Sequence, residues 1–350
     1  MIDFAHEETD RIIERTEKRI RKEYKKASKE VRAKLDDYLR RFEKKDAKWK
    51  DWVKEGVKTE QEYQNWRFGQ MMGGRRWAAL EEDLAKRYHE ATKAAGEISM
   101  GAKAEAYALN INYLTYQVEK SVGIDTGFIV YDKDSVERLF RKDPKLLPPP
   151  GKKVSKRIAE GKDIRWNKRQ IQSVAFQGIV QGESIPNIAK RLAETVGNKD
   201  AKAAIRNART LITGAENAGR IDGMERSLEL GVRLKQQWVA ILDQRTRHEH
   251  RELDGQVVEV GEPFTVDGEE IMFPGDPSAS PHLVYNCRCG VRPVLEGHEI
   301  DTTQYRRDPD LGGMSYEEWK DDRRSKYNPI DLPVKKAEAI KASYIREYRG

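Results

Sequence analysis

The chain has 350 residues, of which 37% are hydrophobic and 36% charged, and its 66 basic and 59 acidic groups leave a net charge of +7. A composition this polar excludes one large compact core and favours long helices with wide solvated faces. No apolar run reaches the roughly 18–20 residues of a membrane span, and the charged start lacks the apolar core of a secretory signal, so we expect folding in a cytoplasm.

The first 50 residues predict one long amphipathic helix. Its apolar residues recur at helical spacing between charged ones. They are Ile13, Ile20, Tyr24, Val31, Leu35, Leu39 and Phe42. A stripe this narrow needs another helix or a partner subunit to cover it, so we interpret residues 1–142 as a helical, partner-contacting region. His6 lies outside the stripe and is predicted to face solvent.

The segment DPKLLPPPGKK, residues 143–153, predicts a linker, because three consecutive prolines stop a helix and favour an extended chain. We therefore predict a second domain over 154–295. Its first part, 154–231, has helical patterning, with a helix–turn–helix over 168–197 and a further helix from 199 that stops at Gly231.

The residue pattern changes from helical to β-prone after Gly231. Short β-prone runs alternate with Gly and Pro up to the segment CGVRPVLE, which predicts a compact antiparallel β unit over 234–295. Residues 296–350 predict a polar tail. The expected fold class is α+β, mainly helical, with a long N-terminal helical region and a small antiparallel β unit near the C-terminal third.

Two short blocks within 234–295 carry most of the candidate site residues. The first block is WVAILDQRTRHEHRELDG and the second is NCRC, with ARTLITGAENAGRIDGM upstream and FPGDP between them. The motif residues are Trp238, Asp243, Arg245, Thr246, Arg247, His250, Leu253, Asp254, Gly255, Asn286, Cys287, Arg288 and Cys289. This ordered succession resembles the Mu F-like minor head proteins of tailed bacteriophages, the phage head morphogenesis family. The resemblance is firm over about 200–295 and looser from about 155.

The resemblance implies a minor head, or minor capsid, structural protein with no catalytic residue. Its expected partner is the phage portal protein, with the major capsid or a scaffolding protein as further partners. It would act in head morphogenesis, genome packaging or ejection, be assembled in the bacterial cytoplasm and reside in the virion, inside the head near the portal vertex. Packaged DNA could be contacted through non-specific charge. The alternative is a DNA-associated protein ejected with the genome.

The chemistry of the two blocks leaves three interpretations. The favoured one is an architectural clasp in which Asp243 pairs with Arg245 or Arg288 through bidentate contacts. The second is a structural zinc ion, because cysteines one residue apart cannot readily close a disulfide and supply metal ligands instead. Its candidate ligands are His250, Cys287 and Cys289, completed by His248 or His282. The third and least favoured is a zinc- or thiol-dependent enzyme using a Cys–His pair.

Overall fold

The structure is a computed structural model that describes residues 3–148, 162–181, 183–298 and 306–327. These residues form two compact units. Unit 1 comprises Met1–Thr16, Ser99–Lys152 and Arg206–Gly350, and unit 2 comprises Glu17–Ile98 and Lys153–Ile205. This division follows packing rather than chain order, and it differs from the sequence-predicted boundaries at 142, 153 and 295.

Long helices make up most of both units. Their bounds are α1 (Phe4–Arg40), α2 (Glu43–Lys54), α3 (Glu60–Met71), α4 (Gly74–Val122), α5 (Lys133–Lys142), α6 (Lys162–Val180), α7 (Ile185–Glu229), α8 (His248–Leu253), α9 (Pro281–Val284) and α10 (Tyr316–Lys326). No helix among these is both long and apolar enough to cross a bilayer.

The single helix predicted for the first 50 residues is wrong in one respect, because the chain turns after Arg40 and restarts as α2 at Glu43. Glu43 and Asp46 lie in the first turn of α2, where carboxylates interact favourably with unpaired backbone N–H groups. Ile20, Val31 and Leu35 of the predicted apolar stripe are fully buried. Other residues of this chain therefore cover this part of the apolar stripe, and a partner subunit is not needed to bury it.

Over its described residues, unit 2 contains helices and the turns between them, with no strand. Its core includes Leu84 and Leu192, and the Tyr88 hydroxyl donates to the carbonyl of Ala193 over 3.2 Å. The break predicted after Gly197 is wrong, because α7 runs through this residue. A Cβ added at Gly197 would lie 2.1 Å from the Ser28 hydroxyl oxygen, so the glycine permits close packing rather than a turn.

Unit 1 combines helices with small antiparallel sheets. The strands are β1 (Ile124–Asp125), β2 (Val232–Val239), β3 (Val257–Glu259), β4 (Phe264–Val266), β5 (Glu269–Ile271), β6 (Gly290–His298) and β7 (Arg306–Arg307). The main sheet has the order β3-β2-β6, β4 pairs with β5, and β1 pairs with β7. The predicted α+β class, mainly helical with a small antiparallel β unit, is confirmed.

The sheet is positioned by its close approach to α7. Alternate residues of β2 are buried, and Trp238, opposite Val291 of β6, is completely enclosed. A Cβ at Gly214 of α7 would lie only 2.7 Å from the carbonyl oxygen of Gly275, so side chains at this crossing would push the loop off the helix. The close approach of Gly214 on α7 to Gly275 holds α7 near the β unit that contains both sequence blocks.

Two segments expected to be peripheral are packed instead. Leu146 and Leu147, at the start of the predicted linker, are buried, and the Lys103 ammonium donates to the Leu147 carbonyl over 2.7 Å. The rest of that linker, from residue 149 to 153, lies outside the described residues. In the predicted tail, α10 buries Trp319 and Arg323 completely. The polar sequence of α10 hides this packing, because one of its three buried residues is an arginine.

Candidate functional site

The first block folds back onto the end of β2. The Trp238 amide donates to the Gln256 carbonyl over 3.0 Å, and the Gly255 amide donates to the Trp238 carbonyl over 2.9 Å. Gly255 has a φ of +84°, which a residue with a side chain rarely adopts. One carboxylate oxygen of Asp254 accepts the Ala240 amide at 2.8 Å. The L-D-G sequence thus forms the turn that aligns β3 with β2.

Asp243 organises the loop before α8. Its carboxylate accepts the Arg245 amide at 2.8 Å and the Thr246 hydroxyl at 3.1 Å, as in the turns that aspartate favours. The Arg251 guanidinium donates to the Asp243 carbonyl over 2.6 Å. The Arg245 guanidinium is largely exposed, with its Nε 3.7 Å from Asp243. The D-x-R-T sequence therefore shapes the loop mainly through Asp243 and Thr246.

Two arginines join the first block to the second block and to the residues just before it. The Arg288 guanidinium donates to both oxygens of Asp243, over 2.7 and 2.8 Å, in a bidentate pair. This hydrogen bonding, together with the Arg245 amide and the Thr246 hydroxyl, holds the pKa of Asp243 well below its usual range. Arg247 donates to the carbonyls of His282 and Tyr285, the former over 2.5 Å. We call the two joined segments, 243–255 and 286–289, the clasp.

A buried group of one imidazole and two thiols lies inside the clasp. His250 Nδ1 is 3.2 Å from the Cys289 Sγ and 3.6 Å from the Cys287 Sγ. His250 Nε2 is 2.9 Å from the Leu283 carbonyl oxygen, so this nitrogen carries the proton and donates. The lone pair of Nδ1 consequently faces both sulfurs. All three side chains are buried, and the Trp238 ring meets the imidazole edge-on.

The pKa values of the two thiols are shifted in opposite directions. A hydrogen bond from Cys287 lowers the pKa of Cys289 against the opposing effect of burial. Burial and the neighbouring Cys289 raise the pKa of Cys287 well above its ordinary value. The arrangement favours one thiolate, on Cys289, with the Cys287 thiol as its hydrogen-bond donor.

The other two candidate ligands lie elsewhere. His248 is exposed, with its Nε2 3.0 Å from a Glu252 carboxylate oxygen, and His282 is exposed, with its Nε2 3.4 Å from Glu269. Neither belongs to the group formed by His250 and the two cysteines. Asn286, just before the cysteines, adopts a φ of +56°, which reverses the chain into the second block.

Sequence reasoning missed the residues of α7 that fix the second block. The Asn217 amide nitrogen lies 3.1 Å from the Pro274 carbonyl oxygen and 3.3 Å from that of Cys289, while its oxygen accepts the Val291 amide at 2.8 Å. The Thr213 hydroxyl donates to the Cys287 carbonyl over 3.2 Å. The available signal was the pair of polar residues at i and i+4, Thr213 and Asn217, in the stretch ITGAENAG.

The solvent-facing position predicted for His6 is wrong. His6 is buried, and its Nδ1 lies 2.6 Å from a Glu216 carboxylate oxygen. Arg220, one turn further along α7, is also buried and makes a bidentate pair with Asp3 over 2.6 and 2.9 Å. Because Glu216 and Arg220 are on α7, they draw the first turn of α1 into the interior of unit 1.

These elements define a helix-supported β unit closed by an Asp–Arg clasp. Residues 169–292 match the family described as Phage Mu protein F like protein, and this range includes both blocks up to Arg292. This match supports a Mu F-like domain over these residues of the chain.

Two relatives extend the comparison. The chain is 25% identical over 327 residues to the minor head protein GP7 of Bacillus phage SPP1, which covers 90% of this chain and 95% of that protein. It is 30% identical over 211 residues to the NAD(+)–arginine ADP-ribosyltransferase EFV of Enterococcus faecalis (strain ATCC 700802 / V583), which covers 60% of this chain. The chain spans only 42% of the length of that transferase. No solved structure matches the chain.

Proposed function

We propose that this protein is a minor head protein of a tailed bacteriophage that acts in head morphogenesis and resides in the virion. The observation that carries the proposal is the similarity to the SPP1 minor head protein over 95% of that protein's length. This similarity extends well beyond the range 169–292 that defines the family, so it includes most of the N-terminal helical region. A non-catalytic, architectural role fits the clasp, whose polar groups are mostly engaged in holding its backbone.

The proposed partner is the portal protein of the same phage, bound through unit 2. Phe68 of α3 and Phe176 of α6 meet edge-to-face with ring centroids 5.6 Å apart, and each remains nearly half exposed. Val180, at the end of α6, is also exposed. Exposed apolar clusters surrounded by polar residues are typical of protein–protein contact sites. These three side chains support a contact at this face of unit 2.

Co-expression with the portal protein tests this contact. A Phe68→Glu/Phe176→Glu variant should lose co-purification with the portal, because two charges would be buried at the interface. Val257→Glu is the matched control, since Val257 is similarly exposed but lies on β3 in unit 1. Undiminished capture of the double variant, with an unchanged melting temperature, would contradict the proposed surface.

The position inside the head near the portal vertex is tested separately. Mass spectrometry of purified heads should detect the protein in a few copies, and imaging of heads with and without it should differ at one vertex. Absence of the protein from mature heads would overturn its assignment to the virion, whatever its affinity for the portal.

A second proposal is contact with packaged DNA and ejection with it, favoured by the net charge of +7. Binding of this kind weakens steeply with salt, because it depends on release of counterions from phosphates. Retention on immobilised duplex DNA should therefore fall sharply between about 50 and 200 mM salt. No retention at the lowest salt would remove this proposal and leave the head protein proposal intact.

The similarity to EFV raises an enzymatic alternative, which we do not favour. More than half of that transferase lies outside the match, and the matched family is defined over residues 169–292 of this chain. We expect no transfer of ADP-ribose from NAD+ to an arginine-containing peptide. Incorporation of labelled ADP-ribose above a boiled control would contradict the non-catalytic assignment.

A further inference from the structure

The His250, Cys287 and Cys289 group has the composition of a transition-metal site. The three ligand atoms, one nitrogen and two sulfurs, all lie within 4.8 Å of one another, and all three residues are buried. Imidazole and thiolate are the ligands that zinc prefers in proteins. We propose that His250 Nδ1 and the sulfurs of Cys287 and Cys289 bind one zinc ion that holds the clasp closed.

The spacing of the ligand atoms fits a zinc ion. With Zn–S bonds of about 2.3 Å and a Zn–N bond of about 2.0–2.1 Å, tetrahedral coordination places nitrogen and sulfur roughly 3.5 Å apart. The two nitrogen–sulfur distances are 3.2 and 3.6 Å. The side chains therefore need only a slight separation of nitrogen from sulfur to accept the ion.

The imidazole is already oriented as a ligand. A metal-binding histidine usually donates its second ring N–H to a carbonyl or carboxylate, which fixes the tautomer and directs the other nitrogen at the metal. His250 Nε2 meets the Leu283 carbonyl oxygen at 2.9 Å in this way. The Nδ1 lone pair is consequently directed at the two sulfurs and needs no proton transfer before it binds zinc.

The backbone that carries the cysteines is also fixed. Carbonyls of Cys287 and Cys289 accept hydrogen bonds from Thr213 and Asn217 of α7. Arg288, between the two cysteines, is held by its bidentate pair with Asp243 on the other side of the chain. Both sulfurs are thus held on the side that faces His250, as a chelating pair requires.

Three protein ligands leave a fourth position of the zinc ion free. His248 and His282 are held away by Glu252 and Glu269, so neither fills this position in the arrangement described. A water molecule is the fourth ligand in other zinc sites with three protein ligands. Burial of all three ligands here assigns the ion to closing the clasp, which links α8 to the start of β6.

Elemental analysis of the untagged, full-length protein tests the proposal. We expect one zinc ion per chain after extensive dialysis, and loss of that zinc in Cys289→Ser and His250→Gln. His248→Gln is the matched control, because His248 is close in sequence but exposed, and this variant should retain the metal. Folded wild-type protein with no stoichiometric zinc, or with copper in its place, would overturn the proposal.

A second measurement does not depend on how the variants fold. A mercurial reagent that titrates thiols should release zinc from the wild-type chain in step with modification of its two cysteines. Cobalt substitution should give the thiolate-to-metal absorption band of a site with two sulfur ligands. Complete modification of both thiols without metal release would show that they form only a hydrogen-bonded pair with His250. These readouts are independent of portal binding, so their failure leaves the proposed head protein function untouched.

Discussion

The clasp and helix α10 are both held by arginine–carboxylate pairs, but the two pairs differ in burial. In the clasp, about a third of each side chain of Arg288 and Asp243 remains exposed. In α10, Arg323 and its partner Glu119 are completely buried. The exposed pair lies within the range that matches the Mu F-like family, and both residues of the buried pair lie outside that range of 169–292. The residues of the family motif therefore define the geometry of the clasp. The contacts that contribute most to stability can lie outside that motif.

The buried pair is well satisfied by its neighbours. One oxygen of Glu119 accepts from Arg323 over 3.0 and 3.1 Å and from the Trp319 indole over 2.7 Å. The other oxygen accepts the Thr126 amide at 2.9 Å. Arg323 also lies 3.2 Å from Asp125. A charge network of this kind tolerates joint replacement better than loss of one member, because a single loss leaves an uncompensated buried charge.

The largest effect is expected for Arg323→Met. Removing the guanidinium should lower the free energy of unfolding by about 3–5 kcal/mol, because Glu119 would remain charged and buried. Urea denaturation followed by circular dichroism measures this loss. Arg324→Met is the control, since Arg324 is half exposed and should change stability little. Equal stability of the two variants would contradict the contrast between the clasp and α10.

The double variant Glu119→Gln/Arg323→Met sharpens the interpretation. It should recover part of the stability lost in Arg323→Met, because one of the two uncompensated carboxylates, Glu119 and Asp125, is gone while the glutamine oxygen still accepts from either the Trp319 indole or the Thr126 amide. A double-mutant cycle on urea midpoints measures the coupling. Additive losses would indicate that packing, rather than charge, holds α10.

A smaller effect, dependent on pH, is expected at His6. Burial lowers the pKa of His6, but the Glu216 carboxylate and Asp10 raise it against Arg220, and the net result is a raised pKa. A raised folded-state pKa stabilises the protein fully below the unfolded value of about 6.5, and this contribution is lost as pH rises through the folded value. The melting temperature of wild type should therefore fall above neutral pH relative to His6→Gln.

The exposed His248→Gln substitution controls for the His6 experiment, and its melting profile should follow that of wild type across the same pH range. A wild-type profile that parallels His6→Gln at every pH would mean that the His6–Glu216 contact contributes nothing that depends on protonation.

The smallest effect is expected for Asp243→Asn. The pair with Arg288 is partly exposed, so its loss should lower the melting temperature much less than Arg323→Met does, and the difference from wild type should shrink as salt is added. Thermal melts at low and high ionic strength measure this. A loss that is large and insensitive to salt would show that the clasp contributes as much stability as α10.

Much of this arrangement could be predicted from local sequence signals. Within the clasp, the turn between Asp243 and Arg245 and the L-D-G turn that requires the glycine at 255 are each encoded within a few residues. Helical periodicity predicted α1, and alternation of β-prone runs with Gly and Pro predicted the β unit. These features depend on residues a few positions apart, where spacing determines geometry directly.

The features that could not be predicted depend on long-range packing. His6 pairs with Glu216, 210 positions away, and Arg323 pairs with Glu119, 204 positions away. Nothing in the local composition separates a buried arginine or histidine from an exposed one until its carboxylate partner is known. The same limit applies to Gly197, whose role is set by Ser28 of α1 rather than by the chain on either side.

The single asparagine at position 217 has a consequence for comparing distant relatives. Its amide group donates to the carbonyls of Pro274 and Cys289 while it accepts from the Val291 amide, and no other side chain of this length both donates and accepts in this way. Aspartate cannot donate, and leucine would leave the Val291 amide without an acceptor. We therefore expect few residues to be able to replace Asn217. This position offers a fixed point for aligning the sequences of relatives whose helices and loops have diverged.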